Sequence, residues 1–285
     1  MQDLVEIVRD EKMCHCLVEL YRHRRADGID PALLDGLVQR GIVHKRIPPQ
    51  LTPEGEVVAY NLHEWEIQVL RGTIVPQIKK MGITASSIVA DLGCGGGQTL
   101  LACTGVAPCR VIGFDRNPIA LRLATAWMQA SGITPDLFSF SVADIHSIPL
   151  PDNSCTHVIC RVVLQKLSVK RALSEAVRIL QPGGRLFLHS LGPGYYLDAA
   201  RRSMRDLAVS SFALANGLVY HAFGRQICVR WRRRRLREVW LSPGRLRRHL
   251  ERSGMQIAEL NVSQCARLPS SVIIVAVKDG STGQK

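Results

Sequence analysis

Four residues of the stretch VADLGCGGGQTL (residues 89–100) have the types and the spacing to do chemistry: an acid, Asp91, followed by glycines at 93, 95 and 97. Ser87 to Asp91 reads as a buried strand, and Gln98 to Ala102 can open a helix, which puts the glycines at a strand-to-helix turn. Open α/β sheets bind ligands at such turns. Glycine there lets a ligand approach the main chain closely. The spacing also says what the ligand is not. A dinucleotide turn needs glycine at 98 or 100, where Gln98 and Leu100 stand, so NAD is disfavoured. No Gly-Lys-Ser/Thr follows, which excludes a phosphate-cradling loop.

The elements needed to position this turn are legible in the rest of the chain. Strands are predicted at Ile88–Asp91, Arg110–Asp115, Phe138–Val142, His157–Arg161 and Gly184–His189, with helical or crossover segments between most of them. Two more follow near Gln256–Leu260 and Ser271–Val277, after a helix at Pro243–Ser253. The expected fold is α/β, a doubly wound Rossmann-like sheet of about seven strands. A long helical segment around Leu197–Tyr220 forms an insert, so that residues 192–240 read as a helical lid and a basic insert within a domain spanning 61–285. Residues 1–60 form a small, mostly helical segment. MCHCLVELYRHR and PALLDGLVQRGIV are helix candidates, and HKRIPPQLTPEGEVVAY reads as a small hairpin. LVQRGIV followed by LTPEGEVVA resembles the end of a winged-helix domain. A helical bridge, LHEWEIQVLRGTIVPQIKKMGI, leads into the sheet.

A chain of 285 residues, 46% hydrophobic, can bury a full core. Its first residues have no basic segment followed by an apolar run, and no stretch reaches the roughly 18 uncharged residues of a membrane span, so the expectation is a soluble, cytoplasmic protein. The nine cysteines form no C-x-x-C pair, which argues against both a zinc site and a disulfide scaffold. Cys14-His15-Cys16 looks like a ligand cluster, yet residues two apart do not share a helix face, and no metal is expected. The net charge of +13 is uneven. Residues 1–80 carry 11 Lys and Arg against 12 Asp and Glu, residues 81–190 carry 9 against 6, and residues 191–285 carry 17 against 6. An N-terminal segment of that charge cannot neutralise DNA phosphates, which assigns it to dimerisation, giving a homodimer, or to closing a pocket.

Four blocks in order, VADLGCGGG, VIGFDRNPIAL, FSVADIHSIPLPDNSCTHVICRVVLQKL and LQPGGRLFLHS, resemble the class I S-adenosylmethionine-dependent methyltransferases, in particular the branch acting on small molecules. The resemblance implies S-adenosylmethionine as cofactor. This ligand has no phosphate to neutralise, so a turn without lysine suits it. Gly93, Gly95 and Gly97 would line it, and Asp91 would sit beneath the turn facing its ammonium. Asp115, 18 residues past the last glycine, stands near the spacing at which an acid accepts both ribose hydroxyls, with Arg116 beside it. Asp144 and Ile145 take the place of an acid and a backbone N–H at the adenine. Arg161 and Leu164 lie past the fourth strand, where relatives contact the methionine end or the substrate. Gln165-Lys166 stands where many relatives show a histidine pair, a departure that leaves a base at that place open.

Methyl transfer from a sulfonium is an in-line displacement, so a dry pocket that aligns nucleophile, methyl and sulfur supplies much of the acceleration. A base is needed only where the acceptor holds its proton tightly. His189, Tyr195, Tyr196 and His221 are the candidates, each of a type that more often packs or hydrogen-bonds than catalyses. Leu164, Tyr196, Phe212 and Tyr220 are candidate substrate contacts, with Leu214, Leu218, Val219 and Phe223 as further apolar members of a lid. The expected function is therefore methylation of a small, partly apolar acceptor in secondary or specialised metabolism. Arg230 and Arg232–Arg235 with Trp231 and Trp240 support an alternative, an RNA- or DNA-modifying methyltransferase, although no base-reading motif accompanies them. A DNA-binding ligand sensor is the third reading, opposed by the acidity of residues 1–80.

Overall fold

The structure is a computed structural model that describes residues 2–24, 29–46, 48–71, 73–231, 234–265 and 267–280, with the side chains of Gln2, Arg205, Trp231, Arg234 and Arg235 outside the description. Contacts divide the chain into two compact units, Met1–Asp144 and Ile145–Lys285.

The first unit opens with helices α1 (Gln2–Arg9), α2 (Glu11–His23) and α3 (Pro31–Gln39), a two-residue ladder of β1 (Val43–His44) with β2 (Gln50–Leu51), and helix α4 (Pro53–Trp65). Capping explains the starts. Asp10 accepts the amides of Lys12 and Met13, and Asp30 precedes Pro31 at the first position of α3. Thr52 caps α4 ahead of Pro53, with Glu54 and Glu56 in the first turn. The hairpin expected over residues 44–60 is therefore confined to its first part. Thr-Pro-Glu-Gly is a helix start, and α4 runs through residue 60 into the bridge. Then come α5 (Val75–Lys79), β3 (Ile88–Leu92), α6 (Gln98–Val106), β4 (Arg110–Asp115), α7 (Pro118–Ala130) and β5 (Phe138–Val142). The strands β3, β4 and β5 pair in parallel in that order. Val89, Ala90, Asp91 and Leu92 are all buried, as a strand covered on both faces requires. Leu4, Ile7, Leu17, Leu20, Leu37 and Leu62 share one apolar cluster with Leu123, Ala126 and Trp127 of α7. Trp65 stacks on Trp127 with ring centroids 5.5 Å apart.

The second unit contains β6 (Cys155–Arg161), α8 (Val169–Ile179), β7 (Leu180–Leu191), α9 (Pro193–Ala199), α10 (Met204–Phe223), the short pair β8 (Val229–Trp231) and β9 (Arg234–Leu236), α11 (Pro243–Glu251), β10 (Met255–Cys265) and β11 (Leu268–Lys278). Its sheet order is β10-β11-β7-β6, with β6 parallel to β7 and the other pairs antiparallel. The main sheet thus has the mixed α/β character expected. The segment expected as one helix over 197–220 is two, because α10 begins anew at its cap Ser203. It ends at Gly224, whose φ of 72° is the left-handed stop that glycine accommodates. Of the arginine run, Arg232 and Arg233 lie outside the described residues.

Candidate functional site

The turn after β3 adopts φ of 84° at Gly93, 53° at Gly95 and 79° at Gly97, a backbone that side-chain-bearing residues rarely take. The protein itself fills much of the space the glycines leave. A Cβ on Gly97 would meet that of Ala124 at 2.9 Å, and one on Gly95 would meet Asn61 Oδ1 at 3.1 Å. Bare backbone is required here first by internal packing.

Every amide of the turn is also spoken for. Gly93 and Cys94 donate to Phe114 O at 2.7 and 3.0 Å, Gly95 to Asp115 Oδ2 at 3.0 Å, Gly96 to Asn61 Oδ1 at 2.8 Å, and Gly97 to Cys94 O at 2.9 Å. Phosphate-binding turns work by aiming such amides at the anion. These five amides of the turn are therefore committed inside the protein.

What the turn does hold is a carboxylate. Asp115, at the end of β4, accepts Gly95 N–H on Oδ2 and Asn117 N–H on Oδ1, the latter at 2.8 Å. A carboxylate offers about four lone-pair directions, so each oxygen keeps one. Two fixed acceptors side by side fit a vicinal diol. Next to it Arg116 donates to Asp144, an ion pair exposed on both sides. The structure thus joins Arg116 to Asp144. Asp91 is buried at 2% exposure beneath the turn.

Asn61 is the residue that sequence reasoning missed. It sits on α4, 35 residues before Gly96, is 4% exposed, and besides holding Gly96 it receives Gln98 Nε2 on both its main-chain and side-chain oxygens at 3.0 Å. Its own Nδ2 is committed to Val57 O at 2.8 Å. No short-range motif marks it, since its partners are far along the chain.

The remaining candidates lie in the second unit. Ile145 and Leu164 are buried. Arg161 ends β6 opposite His189 in register, and its charge acts on that histidine. Val162, just after it, has a φ of 51°, a strained conformation for a β-branched residue, and donates to His189 O at 2.7 Å. Burial first, and Arg161 second, hold His189 down at about 4. It is neutral at pH 7 and a weak proton acceptor, with Nε2 3.0 Å from Ser271 Oγ. Tyr196 donates its hydroxyl to Glu238 at 3.0 Å, and burial pushes its pKa far up, which makes it a structural donor. Tyr195 packs edge-on against it. His221 bonds Gly217 O and Ser242 Oγ at 2.7 and 2.9 Å, and Tyr220 OH lies 2.8 Å from His249. Phe212 is half-buried. The ring nitrogens of His221 and the hydroxyls of Tyr196 and Tyr220 are thus engaged inside the second unit.

Because His189 has a lower pKa folded than its ordinary 6.5, the folded chain binds fewer protons between those values, and stability falls as the pH drops through them. This group's contribution is full above pH 6.5 and shrinks by about 2 kcal/mol on going to pH 5. Urea midpoints should therefore fall less between pH 7 and pH 5 in His189→Gln than in the wild type. Parallel losses would remove His189 as a source of acid lability.

Burial also pushes Cys14 up to about 12 and Cys16 up to about 11. Among the described residues no group of three or more His, Cys, Asp or Glu is placed to hold a metal ion.

Residues 90–188 match the family model described as "Methyltransferase domain". A demethylmenaquinone methyltransferase of Symbiobacterium thermophilum is 35% identical over 100 residues, covering 34% of this chain and 39% of that protein. A 25S rRNA (adenine(645)-N(1))-methyltransferase of Saccharomyces cerevisiae is 28% identical over 101 residues, 35% of this chain and 25% of that one. The chain thus matches less than half the length of these relatives. A solved S-adenosylmethionine-dependent methyltransferase from Methanosarcina mazei superposes with a TM-score of 0.53 at 19% identity, over 72% of this chain and 97% of that one, which establishes the shared fold. Residues 90–188 are thus similar to a methyltransferase domain, and the fold is the one seen in solved S-adenosylmethionine-dependent methyltransferases.

Proposed function

We propose that the whole chain transfers the methyl group of S-adenosylmethionine to a small, partly apolar acceptor. The observation behind this reading is the turn whose amides are all internally bonded beside an Asp115 carboxylate with one lone pair free on each oxygen. That donor set suits a phosphate-free nucleoside. Bound there, S-adenosylmethionine supplies an electrophilic methyl on sulfur.

The residues have separable tasks in this reading. Asp115 takes the ribose hydroxyls, and Asn61 and Gln98 keep the turn in the shape that aims Asp115. Asp144, held by Arg116, and the Ile145 N–H take the adenine edge, while Asp91 faces the ammonium end with Gly93. Arg161 and Leu164 border the acceptor. Alignment and exclusion of water would supply the rate. The N-terminal helices serve closure or dimerisation. One relative is named for a small apolar acceptor and another for an rRNA adenine, and the half-buried Phe212 and buried Leu164 favour the first.

Calorimetry is expected to give micromolar binding of S-adenosylmethionine and far weaker binding of NAD. Methyl label should then pass to apolar phenolic or quinol acceptors and not to RNA. Tighter NAD binding would overturn the cofactor assignment in the whole chain. Label transfer to RNA alone would overturn the acceptor.

A further inference from the structure

Helix α10 is inside out. Its residues packed against the second unit are Ser210, Ala213, Asn216, Gly217 and Tyr220, three of them polar. The opposite stripe, within about 100° of the helix circumference, holds Met204, Leu207, Ala208, Ser211, Ala215 and Leu218, all exposed and none charged. Met204 is 81% exposed, Leu218 65%, and Phe223 at the end of the helix 76%. A surface helix ordinarily shows the reverse arrangement.

Slack packing does not explain it, because hydrogen bonds set the rotation of the helix. Asn216 donates to Ile227 O at 3.1 Å and Glu238 O at 2.9 Å, and accepts Ile227 N–H at 2.7 Å. Tyr220 reaches His249, and Trp240 Nε1 donates to Leu214 O at 3.1 Å. Turning Leu218 inward would leave these buried groups unpaired, at about 1–3 kcal/mol each. The apolar stripe is thus presented outward by construction, and a patch of this kind marks a contact surface.

Charge selects the occupant. The undescribed parts of this chain, Arg25–Gly28, Arg232–Arg233 and Ser281–Lys285 among them, have no apolar run to cover the stripe. A second copy would bring its own surplus of 17 Lys and Arg over 6 Asp and Glu from residues 191–285. Exposed Arg201 stands just before the helix, exposed Arg225 and Arg230 follow it, and neither Arg201 nor Arg225 has an acidic partner within ion-pair distance among the described residues. An uncharged stripe about 21 Å long from Met204 to Leu218, with arginines at both ends, fits a surface that is apolar just below a layer of negative charge.

We propose that the exposed face of α10 lies in the interface of an anionic lipid membrane, with Met204 and Leu218 among the acyl chains and the flanking arginines on the headgroups. The inference does not depend on the cofactor or acceptor assignment. No described helix is long and apolar enough to cross a membrane, so this is surface attachment.

Sedimentation of the full chain with phosphatidylcholine vesicles, with and without phosphatidylglycerol, tests it. Binding is expected only when phosphatidylglycerol is present, weakening as salt is added. Met204→Gln with Leu218→Gln should lose at least about tenfold in vesicle affinity while keeping the wild-type melting temperature and S-adenosylmethionine binding, since both side chains are exposed. The proposal falls if the wild type stays in the supernatant at low salt, or if the double variant binds as tightly, which would mean charge alone is responsible. It also falls if the wild type is a dimer that the double variant dissolves, which would make a second copy the occupant.

Discussion

Asp115→Ala should weaken S-adenosylmethionine binding by roughly two to four orders of magnitude, the loss of two charge-assisted hydrogen bonds at about 1.5–3 kcal/mol each. The effect is larger than a ribose contact alone would suggest, because the same carboxylate orders its surroundings. Without it the Gly95 and Asn117 amides, bonded at 3.0 and 2.8 Å, lose their acceptor and the turn loses its strut. Asp115→Asn is no gentle control. Whichever way its amide points, an NH₂ faces one of those two N–H donors. Titration calorimetry, with thermal unfolding to confirm that the variant is folded, measures the effect. Affinity within a few-fold of wild type in a folded Asp115→Ala protein would show that the diol is held elsewhere.

A chain that begins at Tyr60 should fail to fold. From the sequence the segment before it reads as an appendage, and its removal would be expected to change mass or turnover only. The structure makes it part of the first unit's core. Leu4, Ile7, Leu17, Leu20 and Leu37 are fully or almost fully buried with Leu62 of α4 and with Leu123, Ala126 and Trp127 of α7. At about 1.5–3 kcal/mol for each large apolar side chain buried, those five contribute about 7.5–15 kcal/mol, as much as the 5–15 kcal/mol by which a domain is stable. The cut also removes the first two turns of α4, and with them Val57 O, the acceptor that fixes the Asn61 side chain. Circular dichroism and gel filtration of the truncated chain should report an unfolded or aggregated product. A soluble, cooperatively melting one would show that α1 to α3 form a separable domain.

By itself the amino-acid sequence determined the sheet strands, their order along the chain and the glycine turn after β3. Those signals are local. Buried strands are apolar runs, helices announce themselves by Asp30-Pro31, Asn117-Pro118 and Ser242-Pro243, and the glycines at 93, 95 and 97 stand where φ is positive. The spacing of Asp115 from the turn was legible too, since strand and helix lengths in a βαβ unit vary little. Tertiary structure alone decided the rest. It tied Asn61 to Gly96 across 35 residues, turned Thr52-Pro53 into a helix start where a hairpin arm was expected, and gave the polar side of α10 to the protein and its apolar side to the surface. Long-range hydrogen bonds carry no periodicity and no fixed spacing. A helix with apolar residues on both of its faces, such as α10, does not say in its sequence which side will be covered, and here the partners of Asn216, Leu214 and Tyr220 chose.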